Sequence, residues 1–80
     1  MDHRTYSIIE LVGVSEYSYD DAARRAIARA SDTLEGLGWF KVKELRGLIR
    51  DGEVAEYQVS LELGFRLLRE DERQDKRPSR

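Results

Sequence analysis

The chain has 80 residues, no cysteine and one histidine, and its 14 basic and 16 acidic side chains leave a formal net charge of −2. The lack of cysteine excludes disulfides and thiolate metal sites, and the balanced charge lacks the basic footprint expected of a nucleic-acid-binding protein. A chain of this length forms one domain that buries only about 60% of its unfolded surface. A lone monomer would be marginally stable, so we expect self-association.

The sequence predicts neither export nor membrane insertion. No basic N-terminal segment is followed by an apolar stretch, and the longest apolar runs are far shorter than the roughly 20 residues that a membrane helix needs. We therefore expect a cytoplasmic protein without a membrane partner. His3 lies near a terminus that is expected to fray, so it is predicted to be a free polar residue and not a ligand or a base.

The segment 5–14, "TYSIIELVGV", is rich in β-branched and aromatic residues and ends near Gly13, which predicts a first strand. Its apolar side chains alternate between two faces, with Ile8 and Val12 on one and Ile9 and Leu11 on the other. A strand that is apolar on both faces is usually covered on both, and one of the covers could be another chain.

A helix is predicted within residues 18–38, with Ser18 as its N-cap and an acidic first turn that compensates the helix dipole. Gly36 and Gly38 are predicted to end it, since glycine readily adopts the left-handed C-terminal conformation. The apolar stripe has helical periodicity and consists of Ala23, Ala26, Ile27, Ala30, Leu34 and Leu37.

Two alternating segments, "WFKVKELRGLI" and "VAEYQVSLELGFRLL", flank Asp51-Gly52, which is a strong signal for a two-residue β-hairpin turn. The order strand, helix, strand, strand predicts an α+β fold in which one helix covers one face of a three-stranded antiparallel sheet. One face of the last strand is predicted to be apolar and comprises Ala55, Tyr57, Val59, Leu61, Leu63, Phe65 and Leu67.

Trp39 is the only tryptophan, and the strand alternation places it on the face that also carries Lys41 and Lys43. A two-residue turn pairs residues whose numbers sum to 103, which sets Trp39 opposite Gly64. A glycine there leaves a flank of the indole uncovered, and this suits the stacking of a flat ring. A subunit contact made by the tryptophan, and a bend or bulge at the glycine, are the alternatives.

Gln58 offers an amide donor and acceptor that match the edge of a pyrimidine-like ring, although ordinary solvent contact explains an exposed glutamine equally well. The same register pairs it with Leu45. Gln58 and Trp39 then stand six residues apart, about 20 Å, along the strands. One ring could contact both only if a neighbouring chain supplied the glutamine or a strong bulge occurred near Gly47.

No residue set supplies enzyme chemistry. A cysteine nucleophile is absent, no histidine lies inside the predicted fold, and the glycines at 36–38 follow a helix where a phosphate loop would precede one. A second class of function is nucleic-acid binding, with the lysine-flanked tryptophan stacking single-stranded bases. The near-neutral charge and the single exposed aromatic residue argue against it, so no nucleic-acid partner is expected.

The motifs "ELVGVS", "DDAARRAIARA", "EYQV" and "GFRL" occur in an order and spacing that resemble the dodecin family of small flavin-binding proteins over residues 5–67. The resemblance implies a β-α-β-β protomer whose sheet partly wraps its helix, assembled as a hollow homododecamer. It also implies that Trp39 stacks on the flavin ring and that Gln58 holds the pyrimidine edge. Bacterial members favour FMN, so Arg46 and Arg66 become candidates for phosphate contacts, although surface charges that pair with Glu44 or Glu62 explain them equally well.

The expected function is therefore binding, storage and photoprotective quenching of FMN or riboflavin between subunits, without turnover. Some family members carry coenzyme A, which the same arginines could bind. A structural assembly module or coenzyme A carrier, with Trp39 as an interface anchor, is the alternative. Residues 1–68 are expected to form the domain, and the charged tail 69–80 is expected to be disordered.

Overall fold

The computed structural model describes residues 4–69 and 71. Its elements in chain order are β1 (Tyr6–Ser15), α1 (Tyr19–Ser31), β2 (Leu37–Arg50) and β3 (Glu53–Arg66). This order confirms the predicted α+β fold with one helix and three strands. The expectations for His3 and for most of the tail 69–80 lie outside the described residues.

The strands form one antiparallel sheet with the order β1-β3-β2, so β3 is central and pairs with both neighbours. The predicted hairpin turn is present. Asp51 and Gly52 have φ values of 55° and 78°, the pair of positive angles that a type I′ turn requires. A turn of this type matches the twist of the two strands that it joins.

The hydrophobic core lies between α1 and the two strands β1 and β3. Val59, Leu61 and Leu63 of β3 are almost completely buried, as their alternation predicted. Ala22, which the predicted stripe omitted, is fully buried because α1 lies very close to β1. A Cβ on Gly13 would collide with the carbonyl oxygen of Ala22, so this glycine permits the close packing and does not end the strand.

The helix is shorter than the sequence predicted. It ends at Ser31 with Asp32 as the C-cap, and the connection to β2 turns before Gly36, which has a φ of 81°. Leu34 and Leu37 still pack against the core, but from the loop and from the start of β2. Their spacing imitated a helix because a short, tight connection returns apolar side chains to the same core.

The strand β2 has no cover on the side of the sheet that faces the helix. Phe40, Val42 and Leu45 are cross-strand partners of buried β3 residues, yet they are 52%, 44% and 56% exposed. The radius of gyration is 15.7 Å, whereas a compact domain of this size has about 11 Å. An apolar strip of this kind is typical of a surface that another protein chain covers.

The N-terminus of α1 is held by a network around the buried hydroxyl of Ser15. This hydroxyl donates to Asp21 Oδ2 at 2.5 Å and accepts from the backbone N–H of Tyr17 at 2.9 Å. The hydroxyl of Ser18 caps the helix by accepting from the Asp21 N–H at 2.9 Å. The hydrogen bond from Ser15, followed by the hydrogen bond and charge of Arg25, lowers the pKa of Asp21 below its ordinary value.

Replacing the helix cap should destabilise the fold. We expect Ser18→Ala to lower the free energy of unfolding by about 1 kcal/mol, because the Asp21 N–H loses its acceptor. Urea denaturation at a fixed protomer concentration measures the change. Ser18→Asp retains an acceptor and should stay close to the wild type. Equal losses in both variants would contradict the capping role.

Lowering the pH should remove the contribution of Asp21 to the stability of the fold. Its pKa is lower in the folded chain, so the ionised group stabilises the fold above its ordinary pKa of 3.8, and this stabilisation is lost as the pH falls through the folded value. The unfolding midpoint of Asp21→Asn should lie below that of the wild type at about pH 6, and the gap should narrow below about pH 4.

Asp20→Asn removes the same charge from the same helical turn without touching the Ser15 hydrogen bond, and it serves as the control. A gap between Asp21→Asn and the wild type that stays constant over the whole acid range would contradict this role of Asp21.

Candidate ligand-binding face

The side of the sheet opposite the helix is called the open face here. The strand pairing places all five predicted site residues on it: Trp39 and Arg46 from β2, and Gln58, Gly64 and Arg66 from β3. Even-numbered β1 residues complete this surface, because Tyr6 pairs with Arg66 and Val14 pairs with Gln58. The residues nevertheless form two separate groups at opposite ends of the face.

The tryptophan end is built on the predicted pairing of Trp39 with Gly64. The indole leans across to β3, and its atoms Cδ2, Cε2 and Cζ2 occupy the space that a Cβ of Gly64 would fill. The glycine therefore makes room for the indole itself, whereas the sequence had suggested that it leaves one flank uncovered. Tyr6 lies beside the indole, with ring centroids 6.4 Å apart and planes at 40°. The tryptophan remains 42% exposed.

Gln58 lies at the other end and pairs with Arg46, so the predicted pairing with Leu45 is wrong. Between the turn and Trp39 the register shifts twice, because Ala55 is an extra residue on β3 and Lys43 is an extra residue on β2. These two bulges cancel each other. The register predicted from the turn is therefore displaced by one residue around Gln58 and correct again at Trp39.

The glutamine end contains a small polar cluster. Arg46 donates from Nη1 and Nη2 to the hydroxyl of Ser60 at 3.0 and 2.9 Å, and from Nη1 to Glu44 Oε1 at 2.9 Å. Gln58 donates from Nε2 to Glu56 Oε1 at 3.2 Å. Ser60 and Glu56 were missed as site residues. Glu56 belongs to the motif "EYQV", but no role was predicted for it, and the contact of Ser60 with Arg46 depends on the bulged register.

Lys43 separates the two ends. Its bulged position lets Nζ reach Glu10 Oε2 at 2.9 Å and Glu62 Oε2 at 3.7 Å, so it links β1 and β3 across the open face. The hydrogen bond to Glu10, together with the charges of both carboxylates, raises the pKa of Lys43. The ammonium group of Lys43 is therefore engaged in ion pairs within the chain.

The structure does not bring Trp39 and Gln58 together. Gly64, the β3 partner of Trp39, lies six residues from Gln58 in an unbroken stretch of that strand. The tryptophan and the glutamine are therefore separated by about 20 Å along the strands. A strong bulge near Gly47 was one of two conditions under which one ring could contact both residues, and the bulges that are present, at Ala55 and Lys43, do not shorten this separation. A single flat ring therefore cannot contact both side chains of one chain.

An apolar cleft lies on the helix side of the sheet, directly behind Trp39. Its volume is about 160 Å³. The lining residues are Ile27, Leu37, Gly38, Trp39, Phe40 and Leu63. Polar atoms are almost absent from these walls, so the cleft suits apolar side chains better than a charged ligand.

Within residues 4–69 and 71, no group of three or more histidine, aspartate or glutamate residues is arranged to hold a metal ion. In the same part of the chain, no helix is long and apolar enough to cross a membrane.

Known proteins provide close matches. A family model described as Dodecin matches residues 5–68. A dodecin of Thermus thermophilus is 53% identical over 64 residues, which cover 80% of this chain and 93% of the relative. The structure of dodecin from Streptomyces coelicolor matches with a TM-score of 0.83 and 51% identity, covering 86% of this chain and 99% of that one.

A more distant relative is the calcium dodecin of Mycobacterium tuberculosis, which is 27% identical over 62 residues, covering 78% of this chain and 87% of that protein. Its crystal structure, described as having a novel calcium-binding site, matches with a TM-score of 0.72. Ligands therefore differ among these proteins, although the family is one of small-ligand-binding proteins, typically of flavins, and its known assembly is a dodecamer. The family model and the identity to the Thermus protein show that the chain belongs to the dodecin family.

Proposed function

We propose that this chain binds and stores a flavin, FMN or riboflavin, at sites between the subunits of a homododecamer, without catalytic turnover. The observation that carries the proposal is the indole of Trp39, which lies over Gly64 and is 42% exposed on the open face. Gly64 is buried beneath it, so the side of the indole away from the sheet is the one that can receive a flat ring.

Stacking explains both binding and quenching. An indole is a large, electron-rich ring, and offset stacking of two aromatic rings contributes about 0.5–1.5 kcal/mol beyond the area buried. An indole in contact with a photoexcited flavin can also transfer an electron to it, which returns the flavin to its ground state. Trp39 would thereby protect the cell from photochemistry of the stored flavin. A cytoplasmic location belongs to this proposal.

The distance along β3 supports a site shared between chains. Because Trp39 and Gln58 of one chain stand about 20 Å apart, a ring stacked on Trp39 would take its polar contacts from Gln58 of a neighbouring subunit. The exposed apolar strip formed by Phe40, Val42 and Leu45 supports the same assembly, since it leaves the isolated protomer incomplete.

The two arginines would hold a flavin phosphate. Arg66 is at the tryptophan end, where it pairs with Tyr6, and Arg46 is at the glutamine end, where it pairs with Gln58. Arg46 already contacts Ser60 and therefore has a fixed direction on the open face. A guanidinium recognises phosphate through two parallel hydrogen bonds, so these residues favour FMN over riboflavin.

The second candidate is a structural assembly module or a coenzyme A carrier in which Trp39 is an interface anchor. The apolar cleft behind Trp39 favours this candidate, because a side chain of a neighbouring subunit could fill it. In that case Trp39 would hold the assembly together and would not be needed for flavin binding.

Titration of riboflavin into the ligand-free protein, followed by flavin fluorescence, tests the proposal. We expect strong quenching that saturates near one flavin per chain, and we expect Trp39→Ala to remove it because the stacking surface is lost. Tyr17→Ala is the matched control, since Tyr17 is an exposed aromatic residue outside the open face.

Light scattering on the same samples separates the two candidates. A flavin-site tryptophan predicts that Trp39→Ala keeps the assembly, whereas an interface anchor predicts that it dissociates. Unquenched flavin in the presence of intact wild-type assembly would overturn the flavin proposal.

The phosphate contacts predict a ligand-dependent effect. Arg66→Ala and Arg46→Ala should each weaken FMN binding by about 1.5–3 kcal/mol, the usual contribution of a hydrogen bond to a charged group. Riboflavin has no phosphate, so its affinity should change little. Competition titrations measure the ratio of the affinities for FMN and riboflavin. An equal loss of affinity for both flavins would assign the arginine a structural role.

A further inference from the structure

We propose that Glu56 positions the side-chain amide of Gln58, so that the glutamine meets the ligand ring with its carbonyl oxygen and one N–H in a fixed order. This inference rests on the proposed function, since it takes Gln58 as the residue that holds the polar edge of the ring. Glu56 acts through Gln58 and is a positioning residue, because its carboxylate is turned to the glutamine.

The hydrogen bond between the two side chains determines which way the amide points. Gln58 Nε2 lies 3.2 Å from Glu56 Oε1. An ionised carboxylate can only accept hydrogen bonds, so the amide must turn its NH2 group toward it. The opposite orientation would place the carbonyl oxygen of Gln58 against a carboxylate oxygen, and two acceptors repel each other. Glu56 thus removes the twofold ambiguity of a glutamine side chain.

The remaining hydrogen-bonding groups form a directional pair. One N–H of the Gln58 amide is used by Glu56, which leaves the second N–H and the carbonyl oxygen for a ligand. Such a pair complements a ring edge on which an N–H stands next to a carbonyl, as in the pyrimidine part of a flavin. Reversing the amide would oppose donor to donor and acceptor to acceptor.

The neighbouring side chains allow the carboxylate of Glu56 to bind Gln58. In the described part of the chain its carboxylate forms no ion pair, and Gln58 is the only hydrogen-bond partner of that carboxylate. The cation opposite Gln58 is Arg46, and its guanidinium is turned away to Glu44 and Ser60 at 2.9–3.0 Å. The arginine therefore does not compete for the carboxylate of Glu56.

Calorimetric titration of the full-length assembly with riboflavin and with 3-methylriboflavin tests the inference. Glu56→Ala should weaken riboflavin binding about 2- to 10-fold, the range expected for immobilising one flexible side chain on binding. The 3-methyl compound lacks the ring N–H and cannot pair with the carbonyl of Gln58, so Glu56→Ala should weaken its binding clearly less than that of riboflavin.

Two further variants make the test specific. Glu56→Gln keeps the size of the side chain but can present either end of its own amide, so it should show the same ligand-selective weakening even if Glu56→Ala fails to assemble. Glu53→Ala removes a carboxylate from the same strand at the hairpin turn and should bind as wild type. In a Gln58→Ala background, Glu56→Ala should cause no additional loss.

The outcomes separate this inference from the proposed function. If wild type binds riboflavin, Gln58→Ala weakens it, and both Glu56 variants bind as wild type, the positioning role is overturned and the flavin site stands. The positioning role is also overturned if the Glu56 variants weaken the binding of riboflavin and of 3-methylriboflavin equally. The same holds if Glu56→Ala weakens binding as much in the Gln58→Ala background as in the wild type. If wild type binds neither ligand, the flavin site and the positioning role are overturned together.

Discussion

The central position of β3, paired on both sides, is the constraint on which the rest of this structure depends. Because side chains alternate along a strand, its odd-numbered residues Val59, Leu61 and Leu63 fill the core. The even-numbered residues, Gln58 and Gly64 among them, therefore belong to the open face. One strand thus anchors the hydrophobic core and carries three of the five candidate site residues, so a shift of its register would change both at once.

The second constraint is that one helix cannot cover three strands. Helix α1 packs on β1 and β3, where Gly13 lets it approach closely, and β2 is left with apolar side chains on a surface without a cover. The exposed strip on β2 and the large radius of gyration have the same physical origin. Self-association is the natural completion of such a protomer, and it agrees with the dodecameric assembly known for the family.

The two ends of the open face offer different kinds of contact to a ligand. At one end, an aromatic surface is built by Trp39 lying over a glycine, and at the other, hydrogen-bonding groups are held in place by neighbouring carboxylates and a serine. The ion pairs of Lys43 join the strands between them. A ring that uses both kinds of contact must lie between two chains, so in the proposed function ligand binding and assembly depend on the same geometry.

The sequence by itself determined the element order, the hairpin turn and the alternation of β3, because each follows from local patterns. The pairing of Trp39 with Gly64 was predicted from the turn, but it is present only because two bulges cancel each other. The family, too, was recognisable from its motifs. Only the tertiary structure decided that α1 ends at Ser31, because apolar residues in a tight loop reach the same core and imitate helical periodicity. It alone revealed the two cancelling bulges and the pairing of Gln58 with Arg46, since bulges depend on side-chain contacts across strands and not on the turn that sets the register.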